Sequence, residues 1–336
     1  MADGGADCGA FRRLGHLPSG SGARLRLLVL SAARRSVALP LVASLVALGS
    51  MVAAGCTRES AGGGPGLAAV DDFGDTVVVG RTPRRIVSLN PATTEMLFAL
   101  GAGARLVGRT HWDVYPDSAR LVPDLGNGLQ PNVEAVLATR PDLVVLYASE
   151  DNRAAARRFR AAGVGTVALK VDSIAEFRRA VLLLGQLVGD TARARTVADS
   201  VARTLAAVRA ATAGLPRVSV FWHVWDAPLL TIGAGSYLNE LVEIAGGRNV
   251  YRDLPSPSPQ ITLEDVVRRD PDVILAGPED ARRIQTDPAW RSLAAVRAGR
   301  VRLVDTAIVG RPSVRLGEAA VSLARLLHPG AVELRP

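Results

Sequence analysis

The chain has 336 residues, 48% of them hydrophobic, and a formal net charge of +8. Half of that excess lies in residues 1–55, where six Arg face only Asp3 and Asp7, and the remaining Arg are scattered without interleaved aromatics, which excludes a nucleic-acid-binding stripe. The two cysteines, Cys8 and Cys56, leave no thiol pair once a leader ending at residue 55 is removed, so the remainder needs no disulfide and can work in an oxidising compartment.

That leader is legible. Arg24, Arg26, Arg34 and Arg35 precede an apolar run over 37–52, and Ala53-Ala54-Gly55-Cys56 follows. This is a signal peptide over 1–55 ending in a lipobox-like site, with Cys56 the expected lipidation residue. The position three before the cysteine is Ala53, where Leu is usual, and a plain signal peptide that contains a Cys is the alternative. The run is short for a membrane span, and the Gly-rich stretch within 56–69 reads as a flexible tether.

From residue 70 the elements come in order. Residues 70–80 predict a short hairpin, 85–89 a strand, 91–100 a helix stopped by Gly101, and 106–107 a strand followed by the loop 110–116. Then come a helix over 132–139, a buried strand over 142–147, a helix over 152–162 and a strand over 166–169. Strands alternating with helices at this spacing predict a parallel sheet with helices on its faces.

Residues 172–214 read differently, as a helical hairpin. Ser173 and Glu176 form a capping-box pattern, and Gly189 stops the first helix near residue 187. Asp190 or Thr191 caps a second helix running to about residue 213, with an apolar stripe at Ala194, Val197, Val201, Leu205 and Val208. The hairpin reads as a rigid spacer between two lobes; an ordinary surface hairpin within one domain is the alternative. The scheme then restarts with strands over 217–222 and 229–232 and helices over 236–245 and 262–269. A strand over 272–275, a helix over 288–297, a strand over 301–304 and a helix over 314–327 complete it.

One internal match ties the halves together. Glu134, Pro141 and Asp142 recur at the same offsets as Glu264, Pro271 and Asp272, each time between a short helix and a buried strand. We read a duplicated lobe. The expected organisation is therefore an N-terminal α/β lobe over 70–171, the hairpin over 172–214 and a C-terminal α/β lobe over 215–336.

The segments RIVSLNPATTEMLFALGAGARLVG (85–108), LQPNVEAVLATRPDLVV (129–145), LNELVEIAGGRNVY (238–251), ITLEDVVRRDPDVIL (261–275) and RPSVRLGEAAVSLARLLHP (311–329) resemble, in order and spacing, the substrate-binding proteins of ABC importers for cobalamin, ferric siderophores or haem. The resemblance implies an α/β fold of two Rossmann-like lobes with parallel-type sheets, joined by a long rigid helix, with the ligand in the cleft between them. It implies no catalysis, no cofactor, and a monomer that hands its ligand to a permease dimer with ATPase subunits. In that family one surface Glu on each lobe meets permease arginines, and those positions fall on Glu134 and Glu264; both also sit in helix first turns, where the dipole favours anions.

Pockets for large ligands use aromatic walls with a few polar groups. Aromatics make up only 4% of the chain, which focuses attention on Trp112 and Tyr115 in one loop and on Trp222, His223 and Trp225 at a strand end of the second lobe. By the resemblance both loops border the cleft, Trp112 falls where cobalamin binders place an aromatic, and Arg311 falls near a family Arg that contacts ligand. Core packing is the alternative for Trp222. Gly128 and Ser258 stand where some cobalamin binders carry Trp. His111 and His223, with Asp113 and Asp226 nearby, leave a His/Asp ion site as a minority alternative, and a zinc or manganese receptor as the second function. For an enzyme there is little: no phosphate loop or zinc-protease motif is present, Gly101-Ala-Gly103 and Gly233-Ala-Gly235 are poor dinucleotide fingerprints, and nothing around Ser88 or Ser236 marks a nucleophile.

Overall fold

The computed structural model of the chain describes residues 67–331 and residue 333; the signal peptide, Cys56 and the tether up to residue 66 lie outside the described residues. The expected hairpin begins earlier than the spacing predicts. Strand β1 (Leu67–Val70) pairs antiparallel with β2 (Thr76–Val79), so residues 67–69 belong to a strand and not to the tether.

Strands β3 (Ile86–Leu89), β4 (Leu106–Gly108), β5 (Leu143–Tyr147) and β6 (Gly165–Leu169) form an all-parallel sheet in the order β4-β3-β5-β6. The helices interleaved with it are α1 (Pro91–Ala99), α2 (Val133–Ala138) and α3 (Arg153–Ala161). Asn90 caps α1, accepting from the Ala92 amide at 2.9 Å with Pro91 at the first helical position, and Asn132 caps α2 through the Ala135 amide.

The central hairpin is α4 (Ile174–Val188) and α5 (Thr191–Thr212). Ser173 Oγ accepts from the Glu176 amide, and the Glu176 carboxylate accepts in return from the Asp172 amide. Gly189, at φ +83°, ends α4, and Asp190 caps α5 through the Arg193 amide. At ~1.5 Å per residue, the 22 residues of α5 reach about 33 Å.

The second half contains β7 (Val218–Trp222), β8 (Trp225–Asp226), β9 (Leu229–Leu230), α6 (Tyr237–Ile244), β10 (Gly247–Asn249), α7 (Leu263–Arg269), β11 (Val273–Ala276), α8 (Pro278–Thr286), α9 (Ala294–Arg297), β12 (Val301–Leu303), α10 (Thr306–Val309) and α11 (Leu316–Leu327). Its sheet is all parallel in the order β10-β7-β11-β12. Counted within each half, both sheets have the strand order 2-1-3-4.

The repeat extends to the backbone. Among the described residues, Arg140 (φ 49°) and Asp270 (φ 37°) are the non-glycine residues with positive φ, and each directly precedes the repeated Pro-Asp. Asp142 then accepts from the Arg84 and Arg85 amides, and Asp272 from the Ser219 amide and hydroxyl. Each carboxylate pins the third strand of its sheet to the first.

Two expected elements differ, and two others were not expected. Residues 229–230 do not join the second sheet but pair with β8 in a two-residue hairpin. The edge position belongs to β10, whose Gly-Arg-Asn sequence carries no apolar run. The single helix expected over 288–297 is a 3-10 turn, Pro288–Trp290, followed by α9. The unexpected α8 before it buries only Ala281 and Ile284, too sparse a stripe to read.

Each sheet is covered on both faces. Val145, Val167, Val220 and Leu275 face one continuous core that also takes Leu184 of α4, Val201 and Leu205 of α5 and Leu323 of α11. The outer faces have separate cores: Val144, Leu146 and Phe159 in the first half, and Phe221, Ile274 and Trp290 in the second. A strand buried on both faces reads as an unbroken apolar run, which is how these strands stand out in the sequence. The hairpin stripe is also as expected, except that Ala198 is fully inward and Val197 only partly so.

Candidate functional site

Open parallel sheets bind ligands beyond the carboxyl ends of their strands. Three adjoining cavities lie there, and Tyr147, the last residue of β5, lines all of them. The first, about 300 Å³, is walled by Leu89, Asn90, Thr110, Trp112, Gly128 and Leu129. The second, about 360 Å³, has Trp112 and Pro91 from the first half facing Gly310, Arg311 and Pro312 from the second. The third, about 250 Å³, sets Tyr147 and Asp172 against Val224, Ile232, Tyr237 and Ser258.

The trough is held across the two halves by polar contacts. Arg311 Nη2 donates to the Trp112 carbonyl at 2.7 Å, and Nη1 stands 3.5 Å from Glu95. Glu95 is buried in α1 and also accepts from the Ser313 hydroxyl. Burial pushes the Glu95 carboxyl up, opposed by Ser313 and Arg311. Asp113 is buried too and accepts from Thr110 Oγ1 and Thr94 Oγ1, both at 2.5 Å, which ties the Trp112 loop to α1. Burial raises its carboxyl, and the two threonines oppose that. Tyr147 donates to Asp172 at 2.8 Å; burial and that carboxylate push the phenol up. The Tyr237 amide bonds the Asp172 carbonyl at 3.0 Å, and Glu240 accepts from the Ile174 amide at 3.1 Å, so α6 is fastened to the start of α4.

The expected site residues separate. Trp112 lines two of the cavities with 60% of its surface free, and Arg311 lines one. Tyr115 is half-exposed with the Arg315 guanidinium 4.3 Å above its ring, a cation–π contact. Trp225 is exposed on the β8–β9 hairpin and lines none of the three cavities. Trp222 is a correction: it is 4% exposed and packs in the continuous core. His223 is a second correction, buried beside Phe221 and Trp290 on the outer face. The cause is the pleat, which sends 220 and 222 to one side and 221 and 223 to the other. His111 lies against Trp112, ring centroids 4.5 Å apart, and Asp113 turns to the threonines instead of joining it. Asp226 does pair with His223, at 3.0 Å.

Tyr147, Asn90 and Tyr237 were missed from the sequence. Two of them were within reach, because Tyr147 ends a parallel strand and Asn90 follows another. Gly128 and Ser258 do line cavities, but a Cβ on Gly128 would stand 2.1 Å from the Leu89 carbonyl oxygen. No side chain fits there on this backbone. Glu134 and Glu264 are exposed in the first turns of α2 and α7; Glu134 is ion-paired with Arg158 at 2.5 Å, and its own amide and Thr262 hold the Glu264 carboxyl below its ordinary range.

Two parallel-sheet lobes braced by one long hairpin, with a polar-latched trough where both meet, define a solute-binding architecture. The chain belongs to the periplasmic binding protein family, whose model matches residues 86–307. These are extracytoplasmic substrate-binding proteins of transport and not enzymes. The chain is 28% identical to the uncharacterized ABC transporter substrate-binding lipoprotein YvrC of Bacillus subtilis, over 77% of this chain and 85% of that one. It is 29% identical to the cobalamin-binding protein of Halobacterium salinarum, over 77% and 73%. The fold matches the periplasmic haem-binding protein RhuT from Roseiflexus with a TM-score of 0.67, at 24% identity over 74% of this chain and 99% of that one. No helix among the described residues is long and apolar enough to cross a membrane.

Proposed function

We propose that this chain is the receptor of an ABC importer, anchored to the envelope by lipid at Cys56, and that it captures a corrinoid or an iron chelate, siderophore or haem, for its permease. The lobes over 70–171 and 215–336 clamp the solute, and the hairpin over 172–214 limits how far they part. The supporting observation is the trough around Tyr147, where Trp112 offers an exposed ring and Arg311 a cation. Each cavity alone is near the small end of ligand pockets, which run from roughly 300 to 1,000 Å³, and a bulky planar solute would use all three. Cobalamin and haem appear in the names of a relative and of a structural neighbour, which supports this cargo class over free zinc or manganese. Glu134 and Glu264 are the docking residues, one per lobe, toward a permease dimer with ATPase subunits; the receptor itself acts as a monomer.

The test is to purify the protein from its native envelope and identify what travels with it by absorption and mass spectrometry. A corrin, Soret or siderophore band bound one to one supports the reading. A protein that carries a small amino acid or a sugar in that place overturns it.

A further inference from the structure

On the outer side of β7, where the His223 ring lies beside Phe221 and Trp290, three potential metal ligands converge. His223 follows β7 directly, Asp226 lies in β8, and Asp280 is in the first turn of α8. One donor atom from each falls within 4.8 Å of the others. His223 Nε2 is 3.0 Å from Asp226 Oδ1, and Nδ1 is 3.5 Å from Asp280 Oδ2. His223 is only 2% exposed, and its Nδ1 is buried with no hydrogen-bond partner although it points at the Asp280 carboxylate. None of the three residues lines the cavities around Tyr147.

The same two carboxylates hold a cation already. Arg283 ion-pairs with Asp226 through Nη1 and with Asp280 through Nη2, the latter at 2.8 Å. Two carboxylates and one imidazole nitrogen suit a borderline first-row divalent ion, whereas calcium and magnesium prefer oxygen alone. Bond lengths of ~2.1 Å put tetrahedral zinc ligands ~3.4 Å apart, so the donors need to close by little more than about 1 Å. The side chain of Arg283 is 38% exposed.

We propose that His223, Asp226 and Asp280 form a binding site for a divalent transition-metal ion such as zinc, with Arg283 as the competing cation. A bound ion would fasten the β8–β9 hairpin, which carries the exposed Trp225, to α8. The site is separate from the cargo trough and stands whether or not the cargo reading does.

The test uses the full mature chain without an affinity tag, carrying Cys56→Ser to remove the thiolate, titrated with zinc and cobalt by calorimetry and cobalt absorption. One ion per chain is expected. Losing even an outer-shell partner costs a metal roughly 10–100-fold in affinity, so Asp226→Asn and Asp280→Asn should each weaken zinc at least about tenfold. Arg283→Gln should strengthen it, and calcium should not compete. These carboxamides are exposed or half-exposed replacements that avoid touching buried His223. No uptake of either metal, uptake unchanged in both Asp variants, or zinc weakened by Arg283→Gln would overturn the site.

Discussion

The guanidinium of Arg311 donates a 2.7 Å hydrogen bond to the carbonyl of Trp112, 199 residues earlier in the chain. The arginine therefore holds the aromatic wall of the trough in place while still facing the cavity. Its other nitrogen faces buried Glu95, so one side chain ties together a loop, a helix and the opposite half of the molecule. Removing it as Arg311→Met leaves the Glu95 carboxylate short of its cation and should cost roughly 1–3 kcal/mol in urea unfolding. Adding Glu95→Gln should recover most of that loss. A single variant as stable as the wild type would show that the latch contributes nothing.

The two tryptophans should behave in opposite ways. Trp222 is buried in the core, so Trp222→Ala should lower stability by about 3–5 kcal/mol and leave the affinity of the folded fraction unchanged. Trp112 is 60% exposed; Trp112→Ala should change stability by no more than about 0.5 kcal/mol yet weaken cargo capture by about 1–3 kcal/mol. Calorimetric melting together with a binding titration separates the two.

That contrast marks where the sequence could be read and where it could not. Apolar runs such as 143–146 and the stripe along α5 announce themselves, because burial on two faces or on one helical face fixes the residue pattern. The Glu-to-Asp repeat around Pro141 and Pro271 was readable because both copies need the same turn and the same anchoring carboxylate. The facing of Trp222 and His223 depends on which side of β7 turns to the continuous core, and proximity in sequence does not carry that. Arg311 beside Trp112, and Asp280 beside His223, are meetings between distant elements that no spacing encodes. Strand β10 was invisible because an edge strand of Gly-Arg-Asn owes its place to Val218–Val220 alongside it.

Gly128 should tolerate no side chain. In Gly128→Ala the new methyl would meet the Leu89 carbonyl oxygen, and the backbone must shift, at a cost of about 1–3 kcal/mol. Cavity shape should change with it, so both denaturation midpoint and cargo affinity should fall.

Asp113 gives a pH signature. Its folded carboxyl is raised by burial above the ordinary 3.8, so the folded state holds the proton more tightly than the unfolded chain. The stability this contributes is complete below the ordinary value and is lost as pH rises through the raised one. Relative to Asp113→Asn, the wild type should therefore gain stability as pH is lowered from neutral toward 4. Melting curves of both proteins across that range check it, and a constant difference would contradict it.

Docking is separable from capture. Glu134→Ala combined with Glu264→Ala should abolish uptake of the cargo by cells while leaving its affinity for the purified receptor intact, because both carboxylates are exposed and lie outside the trough. Uptake assays beside a binding titration decide this.

The most direct measurement is a fluorescence titration of the mature chain with cyanocobalamin, haem and ferric siderophores. The account predicts that one of these classes saturates a single site and quenches tryptophan emission, and that Trp112→Ala and Tyr147→Phe each weaken the binding. Saturable binding of none of them, or binding that both variants leave unchanged, would contradict it.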